Sequence, residues 1–145
     1  MQLIHEFDLW ATLDPALVFG ERVFAGFADG GVSGERLNGA FLKGGGDWNR
    51  VMADGWCDLD VRAHIQTDDG AQIYMRYTGL LQLSGMFTAA ASAQAATTYA
   101  DQYLRVSARF ETGDERYWWL TRNLFVAEGR ARAGGGVEYA VSRVA

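Results

Sequence analysis

The chain is poor in several residue types that mark particular functions. It has one proline, one cysteine (Cys57), one lysine (Lys43) and two histidines (His5 and His64) in 145 residues. A single cysteine excludes an internal disulfide framework and fits a reducing cytoplasm, where the protein is expected to reside. His5 and His64 stand far apart, without a helical His-x-x-x-His or a Cys-x-x-Cys spacing, so no metal site is expected. No cofactor is expected either: the glycine-rich run lacks a following Lys-Ser or Lys-Thr, and its Asp47 puts negative charge where a phosphate would sit. The Gly-x-Ser-x-Gly elbow of serine hydrolases is missing, and Cys57 has no base beside it in sequence. The net charge of -5 argues against nucleic acid, whose binding rests on clustered basic residues. No 18-residue apolar run and no charged-then-apolar leader occurs, so neither a membrane span nor secretion is expected.

What is present is glycine, aromatic residues and arginine. The 18 glycines punctuate short alternating segments, the pattern of an all-β antiparallel meander. Strands are expected over Gln2 to Thr12, Glu21 to Ala28, Glu35 to Lys43, Gly55 to Thr67, Ala71 to Gly79, Tyr103 to Glu111, Arg122 to Ala131 and Val137 to Val144. About eight strands are enough to close one small barrel, so residues 1–145 are read as a single β-barrel domain. The exception is Leu80 to Gln102, whose alanine-rich centre predicts a helix or a flap, either a lid on the barrel mouth or a plain connection.

The turn Thr67-Asp68-Asp69-Gly70 selects a register. A three-residue loop with Gly70 in the left-handed region pairs Thr67 with Ala71, which sets Asp60 opposite Thr78, Arg62 opposite Arg76, and His64 opposite Tyr74. Arg62 facing Arg76 is a like-charge pair that needs something negative nearby, either Asp60 or a ligand carboxylate. That face points to solvent or into the barrel; Tyr77 belongs to the opposite, apolar face. His5 alternates with Leu3, Phe7 and Leu9 and is expected on an apolar face.

Two segments carry candidate chemistry. In Gly44-Gly45-Gly46-Asp47-Trp48, glycines deliver a carboxylate and an indole onto a loop, either to meet a ligand or to cap a turn and plug the core. In Tyr117-Trp118-Trp119-Leu120-Thr121-Arg122-Asn123, at least one tryptophan must be buried, and Asn123 either caps a turn or offers a donor to a bound oxygen. Any chemistry is therefore cofactor-free acid-base or carboxylate work, suited to tautomerisation, double-bond isomerisation or hydrolysis of an activated ester.

These motifs together resemble a known family. Gly30-Gly31-x-x-Gly34, Leu37-x-Gly39, the Gly44 to Trp48 run, Thr67-Asp68-Asp69-Gly70-Ala71-x-Ile73 with Gly79, Arg109-Phe110-Glu111-Thr112-Gly113, and Trp119-Leu120-x-x-Asn123-x-Phe125-Val126-x-x-Gly129 are similar to those of the DUF3237 family, also called UPF0311. The resemblance implies a compact cytoplasmic β-barrel. It also implies action in aromatic catabolism on ring-cleavage dienoates, as a methyl esterase or a cis-trans isomerase. Asp47, Trp48, Phe110, Glu111, Trp119 and Asn123 are the matching motif positions. The alanine-rich Leu80 to Gln102 segment departs from that pattern.

The expected site is the barrel mouth, ringed by the Gly44 to Trp48 loop, the Leu80 to Gln102 flap and the Tyr117 to Asn123 segment, and it binds a small anionic, unsaturated or aromatic-derived molecule. Asp47 is its general base or water-activating carboxylate, with Tyr77 and Asn123 stabilising an oxyanion or enolate. Trp48, Trp119 and Phe110 wall it, and Arg62 or Arg76 hold a substrate carboxylate if their face turns inward. The rival readings are a non-catalytic small-molecule binding barrel and a structural dimer module. The candidate partners are accordingly a small-molecule substrate and a second copy of the chain.

Overall fold

The computed structural model describes residues 1–145. The chain runs β1 (Leu3–Leu13), β2 (Leu17–Phe19), β3 (Arg22–Gly34), β4 (Asn38–Phe41), β5 (Gly46–Val51), β6 (Trp56–Thr67), β7 (Gln72–Gln82), α1 (Gly85–Ser92), β8 (Leu104–Glu111), a 3-10 turn at Glu115–Tyr117, α2 (Trp118–Thr121), β9 (Leu124–Ala131) and β10 (Val137–Val144). All pairings are antiparallel, and β1 closes on β3 to complete an eight-position barrel. Ten strands fill those positions because two are shared: β1 and β2 both pair with β3, and β4 and β5 both bridge β3 and β6.

The glycine run makes the second shared position. Gly44 has φ +104°, which turns the chain out of β4, and a Cβ on Gly45 would lie 2.8 Å from the Arg62 carbonyl oxygen. The segment expected as a site loop is thus a bend followed by a strand, so Asp47 sits on rigid sheet. The strand expected over Glu35 to Lys43 shrinks to Asn38–Phe41 for the same reason, and the one expected to end at Ala28 runs on to Gly34. Likewise β7 passes through Gly79, where any Cβ would run into the Arg105 carbonyl of β8. There glycine permits close strand approach and does not end the strand.

The β6–β7 register is the one the turn chemistry selects. Thr67 N–H donates to Ala71 O at 2.8 Å, Gly70 has φ +91°, and Arg62 lies opposite Arg76. Arg109 of β8 extends that row on the outer face, and Asp60 takes the Arg76 Nε at 3.3 Å. Gly70 has open space around its α-carbon, so Gly70→Val is expected to cost about 1–2 kcal/mol from backbone strain alone. Urea unfolding measures it, and a cost near zero would show that this turn does not need the left-handed conformation.

His5 departs from expectation. A register irregularity between His5 and Phe7 shifts the alternation, so Phe7, Leu9 and Ala11 point inward while His5 is exposed and contacts Asp8 at 2.8 Å. The bulge also leaves Glu6 beside two guanidiniums, accepting from Arg36 and Arg143 at 2.8 Å each. Those bonds hold its carboxyl below the usual range although burial opposes them.

The barrel interior is divided along its axis. At the end bearing the β6–β7 turn and α2, Phe7, Phe110 and Phe125 pack edge-on or tilted, with centroids 5.3–6.2 Å apart, and fill the lumen. At the α1 end the filling stops.

Candidate active site in the lumen

The unfilled half of the barrel is a cavity of about 470 Å³, lined among others by Asp47, Asn49, Cys57, Tyr77, Tyr139 and Phe87. β5 alternates Asp47, Asn49 and Val51 inward, β7 supplies Tyr77, β10 supplies Tyr139, and α1 lays Phe87 and Ala91 across the opening. Ser84 caps α1 by accepting from the Phe87 N–H at 3.2 Å, and Phe87 is its buried residue. The alanine-rich segment is therefore a short helical cover followed by a connection to β8. Gln94, just after it, accepts the Gly134 N–H of the β9–β10 turn at 2.9 Å, fastening the cover to the opposite rim.

Asp47 occupies a gap in the β5–β6 ladder. The pairing runs to Asp47–Val61 and resumes at Arg50–Asp58. Between them the Asp60 N–H donates to Asp47 Oδ1 at 3.2 Å, and Asn49 Nδ2 donates to Oδ2 at 3.3 Å. Two long hydrogen bonds do not offset desolvation, so burial pushes the carboxyl up to about 6. Tyr77 and Tyr139 meet edge to face with centroids 5.3 Å apart. Burial, reinforced by the Asp47 charge, raises both phenols above their ordinary range, so each stays a neutral O–H donor. Burial and the same charge raise the Cys57 thiol, leaving it protonated rather than a thiolate nucleophile.

No arginine, lysine or histidine lines this cavity, so the anionic ligand expected from the sequence would meet the Asp47 carboxyl there and no counter-charge. Of the residues expected at the site, the structure brings together Asp47 and Tyr77. Arg62 and Arg76 lie on the outer face and are exposed, as the polar side of a two-faced sheet. Trp48 is also outside, because it neighbours the inward Asp47 on a strand; it is 37% exposed and packs on Phe24 at 4.7 Å. Phe110 belongs to the aromatic plug.

Trp119 and Asn123 lie at the plugged end, away from the cavity. Trp119 sits edge-on to Phe125 at 6.0 Å and under the Arg36 guanidinium at 3.7 Å. Asn123 Nδ2 donates to Trp119 O at 2.7 Å, which closes α2; it is the turn cap, not an oxyanion donor. The Tyr117 to Asn123 segment therefore does not ring the mouth. Tyr139 and Asn49 were missed from sequence. Asn49 was visible as the i+2 neighbour of Asp47 on a strand, whereas nothing local in Val137 to Val144 marks Tyr139.

Comparison with known proteins places this geometry among relatives. The family model described as protein of unknown function (DUF3237) matches residues 1–144. A UPF0311 protein of Clostridium acetobutylicum is 31% identical over 126 residues, covering 83% of this chain and 80% of the relative. The crystal structure of a conserved protein of unknown function from Rhodopseudomonas palustris superposes with a TM-score of 0.88 at 26% identity, covering 99% and 97% of the two chains. A structure described as an enzyme from Penicillium herquei shares the fold, with a TM-score of 0.74 at 19% identity over 99% and 94% of the chains. No helix of the chain is long and apolar enough to cross a membrane.

Proposed function

The chain belongs to the DUF3237 family, a family of unknown function, and from that premise we propose that it is a cofactor-independent enzyme that moves a proton on a small, neutral, unsaturated molecule held in the lumen. The observation that carries the reading is the convergence of one carboxyl and two neutral phenols in a mostly apolar cavity without a cation. A base near neutrality and a donor for the oxygen on which charge develops are the two groups an enolisation needs.

In this scheme Asp47 takes a proton from carbon next to, or conjugated with, a carbonyl. The Tyr77 and Tyr139 pair supplies the O–H that donates a hydrogen bond to the enolate oxygen, and return of the proton at another carbon shifts the double bond. Within the ring-cleavage dienoates of aromatic catabolism, the methyl ester fits and the free acid does not, since a carboxylate in this lumen would meet Asp47 and no counter-charge. The same carboxylate would activate water for hydrolysis of that ester. Double-bond isomerisation is preferred because the lining is largely apolar. The buried thiol of Cys57 suits the reducing cytoplasm as its compartment.

Methyl dienoates incubated with the protein in D2O test the reading. Deuterium uptake at the acidic carbon, followed by proton NMR, is expected with the wild type and lost with Asp47→Asn. Binding without exchange in the wild type would make the chain a small-molecule binding barrel instead. A base that must be ionised predicts that kcat/KM rises with pH to a plateau, with its midpoint near the Asp47 value of about 6. A profile flat from pH 5 to 8 would remove Asp47 from the reaction.

A further inference from the structure

The barrel has one edge that closure does not use. β2 pairs only with β3, through Leu17–Phe24, Val18–Val23 and Phe19–Arg22. On its other side β10, the neighbour of β1, begins at Val137 opposite Ala11, so no strand runs beside β2. The hairpin turns at Gly20 and Glu21, with Gly20 at φ +84°. A two-residue turn is closed by a pair that exchanges both backbone bonds, so Phe19 and Leu17 bond inward to β3. Val18 then directs its N–H and C=O to the open edge.

That edge is apolar and exposed. Leu17, Val18 and Phe19 are 55%, 69% and 67% exposed, and Pro15 to Gly20 carries no charge. Of the devices that ordinarily blunt an open edge, this strand has shortness, at three residues, and Pro15 just before it, but no lysine, inward charge or bulge. Outward from it, on the same face, Leu17, Phe24 and the half-exposed Trp48 form one row across β2, β3 and β5. The exposed indole that the lumen does not use belongs to this surface.

We infer that β2 is the dimerisation edge of the protein, pairing antiparallel with β2 of a second copy about a two-fold axis at Val18. The occupant follows from the pattern. A two-fold axis requires a residue to lie opposite itself and to exchange both hydrogen bonds, which is what the outward N–H and C=O of Val18 provide. The register then sets Leu17 against the partner's Phe19 on one face, an apolar cross-strand contact in both directions. Charge agrees as well. Two copies with a net charge of -5 repel over most of their surface, and this neutral strand lets them approach. Asp14 comes alongside the hairpin tip that bears the partner's Arg22, and Glu21 falls opposite the partner's Pro15. The pairing would join β5, β3 and β2 of each copy into one continuous sheet beside the two lumen mouths.

Sedimentation velocity of the full chain, together with cysteine cross-linking, tests this. The wild type is expected to sediment at twice its 16.0 kDa mass. Val18→Pro removes an N–H that β3 does not use, so it should keep the far-ultraviolet circular dichroism spectrum and sediment as a monomer. Val18→Cys should form a disulfide-linked dimer under mild oxidation, since opposed bonded residues lie about 5.5 Å apart at Cα, within disulfide reach. Leu17→Cys should not, because it faces the partner's Phe19. The buried Cys57 supplies a silent background. A monomeric wild type, a Val18→Pro variant that remains dimeric, or Leu17→Cys cross-linking as readily as Val18→Cys would each overturn the inference. Should Val18→Pro fail to fold, the contrast between the two cysteine variants decides it.

Discussion

Asp47→Asn is expected to abolish turnover and, at neutral pH, to make the protein more stable. The two effects have one cause. The carboxyl is raised from 3.8 to about 6 chiefly by burial, so the folded state holds its proton more tightly than the unfolded chain does. Below about pH 4 both states are protonated and Asp47 costs nothing. Between 4 and 6 the unfolded chain ionises first, stability falls, and above 6 the full penalty is present. Two pKa units correspond to about 3 kcal/mol, an upper bound for a group with two hydrogen bonds. Asparagine keeps the shape, keeps an oxygen for the Asp60 N–H and loses the acceptor that Asn49 uses, so a net gain of about 2 kcal/mol is expected at pH 7. For a chain of this size that raises Tm by about 5 °C, and the gain should vanish by pH 4. Turnover should fall by about a hundredfold or more, the usual worth of a general base. A variant that loses stability at pH 7 would instead make Asp47 a structural acceptor for the broken β5–β6 ladder.

Phe110→Ala should do the reverse, costing stability and sparing chemistry. Phe110 is nearly fully buried between Phe7 and Phe125, whose rings meet it at 5.9 and 5.3 Å, in the half of the barrel without a cavity. Truncating an aromatic residue in such a cluster costs about 3–5 kcal/mol, a large part of the stability of a single domain. Urea unfolding should show that loss, while kcat per folded molecule changes by less than about twofold. A drop in kcat with unchanged stability would return Phe110 to the substrate pocket.

What was legible in the sequence was whatever local chemistry decides. The Asp68-Asp69-Gly70 turn fixed the β6–β7 register to the residue, because side-chain alternation tolerates no slip. The barrel and its helical interruption followed from short alternating segments and one alanine-rich stretch. Asp47 stands out because three glycines precede it, although they serve a bend and close strand approach rather than a flexible loop. Other features depend on closure of the barrel. The direction of Arg62 and Arg76 is a property of the whole sheet. The bulge that exposes His5 arises where β1 meets β10, 130 or more residues away in sequence. Trp119 and Asn123 sit in a motif beside aromatic residues, yet α2 follows the far end of β8, which puts them at the plugged end. Only the assembled barrel shows that one end is plugged by aromatic rings and the other holds a cavity.

The proposed chemistry depends most directly on the ionisation of one carboxyl, which carbon-13 NMR can follow in protein labelled at aspartate, with Asp47→Asn identifying the resonance. Asp47 is predicted to titrate near 6 and to shift when a methyl dienoate fills the lumen. A midpoint near 4, unmoved by such a ligand, would contradict it.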